Sequence, residues 1–451
     1  MGLALFATSA VATTLLDPDP EDSSTQFARA IAEIGDVDKD GVPDLAVGAP
    51  FQDGDFGNTD VGFGPPQNVG KIFILSGATR AVITQLNDPE FQLVQAQKFG
   101  GQLGSSVAPA GDVNGDGIPD VIVGTPHHVV DPAGSPMFSV GRTFVFSGAT
   151  DTVLLTLDNP TPEENARAGT SVVSLGDVNS DGVPDILAGA PGQNIGDLTD
   201  VGVAYLYSGA NGSLIRTLNH PDQGGSEVNA RFGSAVANAG DINGDGVADA
   251  LIGAPGRGEA FVFSGKTGAL LFTILSPTAE KLPSFGSAVA GGKDLDGDGI
   301  PDFAVGAPLL KSSQGGVFLF RGSDGTFIRK LRPPTPQRSS RFGASISLID
   351  DFTGDGRPDV FVGAPDQDVS GLINAGEAFI YNGARGSFFQ SFTSETPQAF
   401  AGFGLAATAV DFDGDGTPSP VFGVPFQNAD LINPDTGDLE THLQIGQIEI
   451  Q

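Results

Sequence analysis

One sixteen-residue pattern occurs seven times along the chain, at a mean spacing of 62.5 residues. Such a repeat constrains the fold more than any single motif, because each unit must bury its apolar face against its neighbours. In the second copy, GDVNGDGIPDVIVGTP, polar residues alternate with small ones and a Pro-Asp pair leads into an apolar run. The first aspartates of the seven copies are Asp36, Asp112, Asp177, Asp241, Asp294, Asp351 and Asp411.

Each unit carries the signals of four short β-strands. A Phe-Gly pair or a variant of it precedes the motif, as at Phe232-Gly233, and an alternating aromatic segment such as GKIFILSG follows it. A run such as AVITQL and an X-Pro pair then end the unit, because proline biases its neighbour to extended backbone. Apolar residues alternate with period two, and no sustained helical period is present. Seven such units predict an all-β fold, a seven-bladed β-propeller of four-stranded blades, with an open solenoid as the structural alternative.

The two ends of the chain indicate how the ring closes. The final unit stops at GQIEIQ, which matches only a third strand, whereas the N-terminal AVATTLLDP matches a fourth strand with its X-Pro break. We therefore predict that residues 10–16 complete the last blade beside residues 448–450. Residues 1–9 fit either a strand or a signal-peptide remnant. Residues 1–451 are then one propeller domain, with repeats at about 17–88, 89–159, 160–220, 221–276, 277–333, 334–396, and 397–451 plus 10–16.

The polar part of each copy has the spacing of a calcium loop. Oxygen-bearing side chains stand at positions 1, 3, 5 and 9, glycine stands at position 6, and position 7 offers its backbone carbonyl. This arrangement suits Ca²⁺, whereas Mg²⁺ takes fewer protein oxygens in stricter geometry. Turn formation alone does not need such spacing, and clustered carboxylates without a cation repel one another. The predicted metal-ligating residues are Asp36, Asp38, Asp40, Val42, Asp44, Asp112, Asn114, Asp116, Ile118, Asp120, Asp177, Asn179, Asp181, Val183, Asp185, Asp241, Asn243, Asp245, Val247, Asp249, Asp294, Asp296, Asp298, Ile300, Asp302, Asp351, Thr353, Asp355, Arg357, Asp359, Asp411, Asp413, Asp415 and Thr417.

The loops are neither EF-hands nor equal to one another. An EF-hand loop ends in Glu at position 12, but that position is apolar here, so we expect the aspartate at position 9 to bind the ion bidentately instead. Loops one and five carry four carboxylates, and loops two to four have Asn at position 3. Loop six has Thr353 there, and loop seven has Ser419 at position 9. We expect up to seven Ca²⁺ ions, with weaker binding in the last two loops and the seventh most prone to be empty.

Charge and composition exclude several classes of function. The formal net charge is −33, from 55 acidic and 22 basic residues, and no Lys/Arg cluster is present that could follow a phosphate backbone. Nucleic acid and anionic membrane surfaces are therefore poor partners. The absence of cysteine excludes thiolate metal sites, cysteine nucleophiles and disulfides. No apolar run reaches the length of a membrane span, so we predict no membrane insertion.

These motifs resemble the FG-GAP repeat of the integrin α-subunit N-terminal propeller. The Phe-Gly pair, the GDVNGDGxPDxxVGAP segment and the aromatic strand that ends in Gly carry the resemblance over nearly the whole chain, about residues 10–451. It implies a seven-bladed propeller with Ca²⁺ between the first and second strands of each blade, and partners on the opposite face. In animal integrins only some blades carry the loop, whereas all seven do here. No leg region, inserted adhesion domain or membrane helix is present in this sequence, so pairing with a β-subunit is not implied.

The remaining residues favour binding over catalysis. G-x-S-x-G, H-E-x-x-H and phosphate-loop motifs are absent, and the acids are committed to calcium geometry, so we predict no enzyme. The adjacent His127 and His128 are expected in a solvated loop.

We predict an extracellular or cell-surface, secreted module for adhesion or protein interaction. The alternatives are a lectin-like propeller and, less favoured, a polysaccharide-active enzyme. The chain has no Trp and only three Tyr, all in predicted strands, which argues against sugar stacking. A protein or glycan ligand is expected on the face that carries the long loops between second and third strands; its identity and the oligomeric state are not predicted. The longest of these loops are residues 51–68, 127–139, 192–200 and 426–442.

Overall fold

The chain forms seven four-stranded antiparallel sheets arranged as blades of a ring, which confirms the predicted β-propeller. The computed structural model describes residues 13–19, 25–53, 68–89, 100–130, 135–222, 228–277, 284–412, 414, 417–432, 439–442 and 446–451. Blades 1 to 3 contain β2 (Ala30–Gly35), β3 (Asp44–Ala49), β4 (Lys71–Leu75), β5 (Val82–Asn87); β6 (Ser106–Gly111), β7 (Asp120–Thr125), β8 (Arg142–Phe146), β9 (Val153–Asp158); and β10 (Val172–Gly176), β11 (Asp185–Ala190), β12 (Val203–Tyr207), β13 (Leu214–Asn219).

The other four blades repeat this strand order. Blades 4 to 6 contain β14 (Ala235–Gly240), β15 (Asp249–Ala254), β16 (Glu259–Phe263), β17 (Leu270–Leu275); β18 (Val289–Lys293), β19 (Asp302–Gly306), β20 (Val317–Phe320), β21 (Phe327–Leu331); and β22 (Ser345–Ile349), β23 (Asp359–Ala364), β24 (Glu377–Tyr381), β25 (Phe388–Phe392). Blade 7 contains β26 (Ala407–Val410), β27 (Ser419–Val424), β30 (Gln447–Ile450) and β1 (Thr13–Leu16).

Two short elements interrupt the loops between second and third strands. A four-residue helical turn, α1 (Leu310–Ser313), lies in blade 5, with left-handed backbone at Lys311 and Ser312. In blade 7, β28 (Ala429–Ile432) and β29 (Leu439–His442) form a hairpin where the sequence indicated only a variable loop. Among the described residues, no helix is long and apolar enough to cross a membrane.

The core lies between successive blades. The second and third strands of a blade are buried along their whole length, as in β7 and β8, because each is covered on both faces by the neighbouring sheets. The fourth strand is the outer edge, and most of its residues are exposed or half-buried, with one buried residue near its end. One apolar cluster combines Ile242 and Leu251 of blade 4 with Phe303 and Phe318 of blade 5. Burial of this kind is the main stabilising force of the ring.

The ring closes through strands from both ends of the described chain. The first strands touch in succession around the centre, from β2 through β6 and onward to β26, which returns to β2. In blade 7, Thr13 pairs with Ile450 and Leu15 pairs with Ile448. The predicted closure is therefore confirmed for β1; residues 10–12 lie outside the described residues.

Glycine pairs form the joint between neighbouring blades. A Cβ on Gly189, in the Gly-Ala-Pro part of blade 3, would lie 1.9 Å from the carbonyl oxygen of Gly233, in the Phe-Gly part of blade 4. Where blade 7 meets blade 1, Ala28 stands where the other pairs have the glycine of the Phe-Gly segment, and its φ is 68°. The Gly-Ala-Pro and Phe-Gly segments, which recur in the repeat, therefore meet across each blade boundary. The pairs are Gly48 with Gly104, Gly124 with Gly169, Gly189 with Gly233, Gly253 with Gly286, Gly306 with Gly343, Gly363 with Gly404, and Gly423 with Ala28.

The segment after β1 contains a buried carboxyl group whose titration should limit stability. Asp17 is 4% exposed; Thr25 Oγ1 donates to its Oδ2 (2.6 Å) and Asp19 N to its Oδ1 (2.9 Å). Burial raises the pKa of Asp17 to about 7, against the hydrogen bonds that lower it. Below about pH 4 the carboxyl is protonated in both the folded and the unfolded chain. From there to pH 7 only the unfolded chain ionises, so the free energy of unfolding falls as pH rises.

Asp17→Asn should remove this pH-dependent loss. The amide keeps an acceptor for Asp19 N, as Asn159 does at the same place after β9, where its Oδ1 accepts from Thr161 N (3.0 Å). We expect the variant to be more stable than the native chain at pH 8 by a few kcal/mol, on the order of 1.4 per unit of pKa shift, and the two to converge near pH 4. Urea unfolding at a series of pH values measures this. Parallel pH profiles would contradict it.

Candidate metal centre

The seven predicted loops each connect the first strand of a blade to the second. They share one edge of the ring with the turns between third and fourth strands, and we call this edge the metal face. In loop one, Asp36 accepts backbone N–H groups of Asp40 (3.0 Å) and Gly41 (2.9 Å). Asp38 accepts from the same Asp40 N–H (3.0 Å), and Asp40 accepts from Val42 (2.9 Å). Positions 1, 3 and 5 are thus wrapped around one turn, which requires the left-handed glycine at position 6.

The same wrapping occurs in loops two to six. In each of them the position-1 carboxylate accepts the N–H of position 6, and the position-5 carboxylate accepts the N–H of position 7. Asn114, Asn179 and Asn243 occupy position 3 as the sequence predicts, and their Oδ1 atoms accept from position 5. The residues at position 7, predicted to offer a carbonyl, are Val42, Ile118, Val183, Val247, Ile300 and Arg357.

The donor set suits a hard cation. In loop one, carboxylate oxygens of Asp36, Asp38 and Asp40 lie within 4.8 Å of one another, and those of Asp294, Asp296 and Asp298 do so in loop five. Like charges held this close raise the energy of an empty site, and a divalent cation relieves that repulsion. Oxygen donors alone, without nitrogen or sulfur, match Ca²⁺ better than Zn²⁺.

The aspartate at position 9 ties the loop to the neighbouring turn. Asp44 is fully buried; its Oδ2 accepts from Val37 N (2.7 Å) and Asp38 N (3.3 Å), and its Oδ1 accepts from Gly77 N (2.8 Å). Gly77 lies in the turn after the third strand, and a Cβ there would lie 1.9 Å from the carbonyl oxygen of Pro43. Asp120, Asp185, Asp249, Asp302 and Asp359 bond in the same way to Gly148, Gly209, Gly265, Gly322 and Gly383. The spacing within the loop does not predict that the position-9 aspartate ties the loop to the next turn. The glycine that recurs after each aromatic strand is the sequence feature that marks this role.

These hydrogen bonds bear on how position 9 can reach an ion. Oδ2 of Asp44 accepts two N–H groups, which use both of its lone pairs, whereas Oδ1 accepts one and keeps one. In loop four the position-3 amide of Asn243 donates to Oδ1 of Asp249 (3.0 Å), so Oδ1 faces the loop interior. This geometry favours an ion contact through one oxygen of the position-9 aspartate, Oδ1. Bidentate binding by both oxygens stays a prediction. Burial raises the pKa of Asp249 and Asp302 to about 6.

Loop seven differs from the other loops at position 9, and it lies in the blade that β1 and β30 complete. Asp413 and Asp415 lie outside the described residues, while Asp411 accepts from Gly414 N (2.9 Å). Ser419, at position 9, begins β27. The third and fourth strands of this blade, β30 and β1, come from opposite ends of the described residues and do not form one hairpin.

Two arginines from outside loop five contact its carboxylates: Arg321, which the sequence pattern does not assign to any loop, and Arg357, which is predicted at position 7 of loop six. Arg321 donates through Nε to Oδ2 of Asp296, and Arg357 Nη1 lies 3.8 Å from Oδ1 of Asp294. Blades 1, 3 and 4 have serine at the place of Arg321, and these serines donate to position 5 instead, as Ser76 does to Asp40 (3.4 Å). Two guanidinium groups therefore compete with any cation for the carboxylates of a loop that has four of them.

We expect Arg321→Ser to make loop five bind Ca²⁺ more tightly, roughly two- to fivefold, since it removes a competing exposed ion pair. Hydrogen exchange of peptides that span residues 294–302, followed against Ca²⁺ concentration, measures the midpoint for that loop alone. Peptides over residues 36–44 of loop one are the internal control and should not move. An unchanged midpoint in loop five would show that the arginine does not compete.

Other residues noted in the sequence lie in different surroundings. His128 is 7% exposed, with Nδ1 4.0 Å from Oδ2 of the buried Asp88, so the expected solvated loop is wrong for this residue. Burial lowers the pKa of His128 to about 3, which keeps it neutral against the ring of Phe144. His127 bonds to Ser139 (2.9 Å). The three tyrosines are buried in β12 and β24, as their strand positions predict.

Comparison with known proteins agrees with this architecture. The FG-GAP repeat model matches residues 31–73, 103–136, 168–207, 232–271 and 285–320, and an FG-GAP-like repeat model matches residues 351–419; together these segments cover more than half of the chain. Integrin alpha-5 of Xenopus laevis is 34% identical over 218 residues, which is 46% of this chain and 20% of that protein. Integrin alpha-V of Gallus gallus is 34% identical over 222 residues, again 46% and 20%. The matched region thus spans about a fifth of these relatives.

Repeat, fold and relatives lead to one classification. Seven blades, the glycine joint between Phe-Gly and Gly-Ala-Pro segments, and the relation to integrin α-subunits all concern the same units of the chain. The chain belongs to the FG-GAP repeat family, as an integrin-α-like β-propeller.

Proposed function

We propose that this protein is a Ca²⁺-stabilised extracellular propeller that acts as an adhesion or protein-interaction module. The observation that carries the proposal is the sidedness of the ring. Antiparallel strands place the loops between second and third strands, and the connections between blades, on the edge opposite the metal face; we call this edge the loop-rich face. Its loops differ widely in length, from the four residues of Pro255–Gly258 to the hairpin of blade 7, whereas the loops of the metal face repeat. Residues that bind partners are concentrated on variable loops that a rigid scaffold holds in position.

The metal face supports a structural role for the ion. Its loops tie first strand, second strand and the turn after the third strand together through position 9, at the outer surface and away from the loop-rich face. Such open oxygen loops bind Ca²⁺ at ~10⁻⁴–10⁻³ M in extracellular modules. The Ca²⁺ concentration of a resting cytosol is far below these values and would leave the loops empty. This supports an extracellular or cell-surface location.

A protein ligand is preferred over a glycan. Tyr205, Tyr207 and Tyr381 are buried and the chain has no Trp, so these residues offer no exposed platform on which a sugar ring could stack. We propose no catalytic role, because among the described residues the two clusters of three acidic side chains both belong to the metal loops. Membership of the FG-GAP family and the likeness to integrin α-subunits support the same choice.

Binding to cell-surface extracts tests this function. The full chain is immobilised with 2 mM Ca²⁺ and exposed to extract that is untreated, protease-digested or periodate-oxidised. We expect saturable binding that protease abolishes and periodate spares. The reverse pattern would establish a lectin, and absence of binding by folded, Ca²⁺-loaded protein would overturn the proposal. Release of reducing sugar from a polysaccharide panel would reinstate an enzyme.

A further inference from the structure

A cleft on the loop-rich face lies between blades 3 and 4. It has a volume of about 520 Å³, and its lining includes Arg167, Arg231 and Asp200. Its lining residues come from the connection before β10, the loop between β11 and β12, and the connection before β14. The cleft is thus a depression on the loop-rich face, which is the face proposed for partner binding.

Equivalent backbone positions of successive blades present the two arginines. Arg167 N donates to Ser139 O (2.9 Å), and Arg231 N donates to Asp200 O (3.0 Å). Both have left-handed backbone, with φ of 57° and 56°. Thr170 Oγ1 donates to Arg167 O (2.7 Å), and Ser234 Oγ donates to Arg231 O (2.8 Å). Backbone fixed at both residues means that only the side chains need to order when a ligand arrives.

Both guanidinium groups are open to a ligand. Arg167 and Arg231 are exposed, and within the part of the chain that the structure describes neither side chain makes a hydrogen bond or ion pair. Asp200 lines the same cleft without an ion pair to either of them. Two arginines and one aspartate leave a single net positive charge, on a chain whose overall charge is −33.

We propose that this cleft binds the side-chain carboxylate of an acidic residue, Asp or Glu, in a partner protein. An arginine fork matches a carboxylate bidentately. A single net positive charge suits a monoanion better than a phosphate dianion, which Asp200 would repel. The hydroxyl oxygens of Thr170 and Ser234 can accept N–H groups of the same peptide. Among the described residues that line the cleft none is aromatic, which favours a peptide over an acidic glycan that would stack on such a ring. The inference rests on the proposed protein-binding function.

Selection from a displayed library of random twelve-residue peptides, at 2 mM Ca²⁺, tests it. We expect the native propeller to enrich peptides with Asp or Glu, and Glu→Gln or Asp→Asn versions of those peptides to bind at least about tenfold more weakly. Arg167→Gln/Arg231→Gln should lose the same affinity. The matched control Arg338→Gln/Arg385→Gln removes two exposed charges elsewhere and should bind normally.

The outcomes separate this inference from the proposed function. Peptides without acidic enrichment, or peptides that bind both double variants equally, would overturn the cleft as a carboxylate site even where surface proteins still bind the native chain. Retention of polygalacturonate, with no acidic peptide selected, would assign the cleft to an acidic glycan instead. Unchanged melting temperatures of both double variants show that the arginines act in binding and not in folding.

Discussion

Removal of Ca²⁺ should lower the melting temperature of the full chain by roughly 10 °C. With dissociation constants of ~10⁻⁴–10⁻³ M and 10 mM Ca²⁺, each occupied loop adds about 1.4–2.7 kcal/mol of stability. The first five loops together would add roughly 7–13 kcal/mol, and a domain of this size shifts by about 1 °C per kcal/mol. Scanning calorimetry in 10 mM Ca²⁺ and in excess EGTA measures the shift.

Two controls fix the interpretation of that shift. Mg²⁺ at the same concentration should restore little of it, since the loops offer more oxygens than an octahedral site accepts. Asp241→Ser should reduce the number of bound Ca²⁺ ions by one, measured by equilibrium dialysis, and lower the benefit of Ca²⁺ in proportion. Equal melting temperatures with Ca²⁺ and with EGTA would falsify the calcium assignment for the whole metal face.

Gly189→Ala should destabilise the propeller by at least about 3 kcal/mol, at the upper end of overpacking effects. The new Cβ would lie 1.9 Å from Gly233 O and 2.8 Å from its carbonyl carbon, both backbone atoms. Relief by a shift of Gly189 is opposed because its own N–H donates to Ser171 O (2.9 Å) and its carbonyl accepts from Gly169 N (3.0 Å). Urea unfolding measures the loss.

The matched control is Gly196→Ala in the loop of the same blade. Gly196 has a φ of +60° and nothing within 4 Å of the added Cβ, so only backbone strain of about 1–2 kcal/mol is expected. If the two alanine variants lose the same stability, the interblade joint is not the cause. A further loss of partner binding only in Gly189→Ala would show that blade spacing affects the loop-rich face.

Period-two patterning and the seven acidic loops predict the blades and the metal loops from sequence, because each depends on local spacing. The closing strand is predicted because the N-terminal segment repeats the fourth-strand pattern that the final unit lacks. The contacts of position 9 do not follow in the same way. Asp44 meets Gly77 across 33 residues, and only the assembled blade brings them together. Arg357 of loop six reaches Asp294 of loop five for the same reason. Arg167 and Arg231 are 64 residues apart in sequence, so no local pattern marks their shared cleft.

The pairing of β1 with β30 has a consequence for biosynthesis. Thr13 emerges from the ribosome 437 residues before its partner Ile450. At 5–20 residues per second, that interval is roughly 20–90 s. During this time β1 lacks its partner strand β30, and blades 1 to 6 can stack while the seventh remains incomplete. Pairing of β1 with β30 therefore has to wait until synthesis has passed residue 450, so closure of the ring follows synthesis of the other six blades.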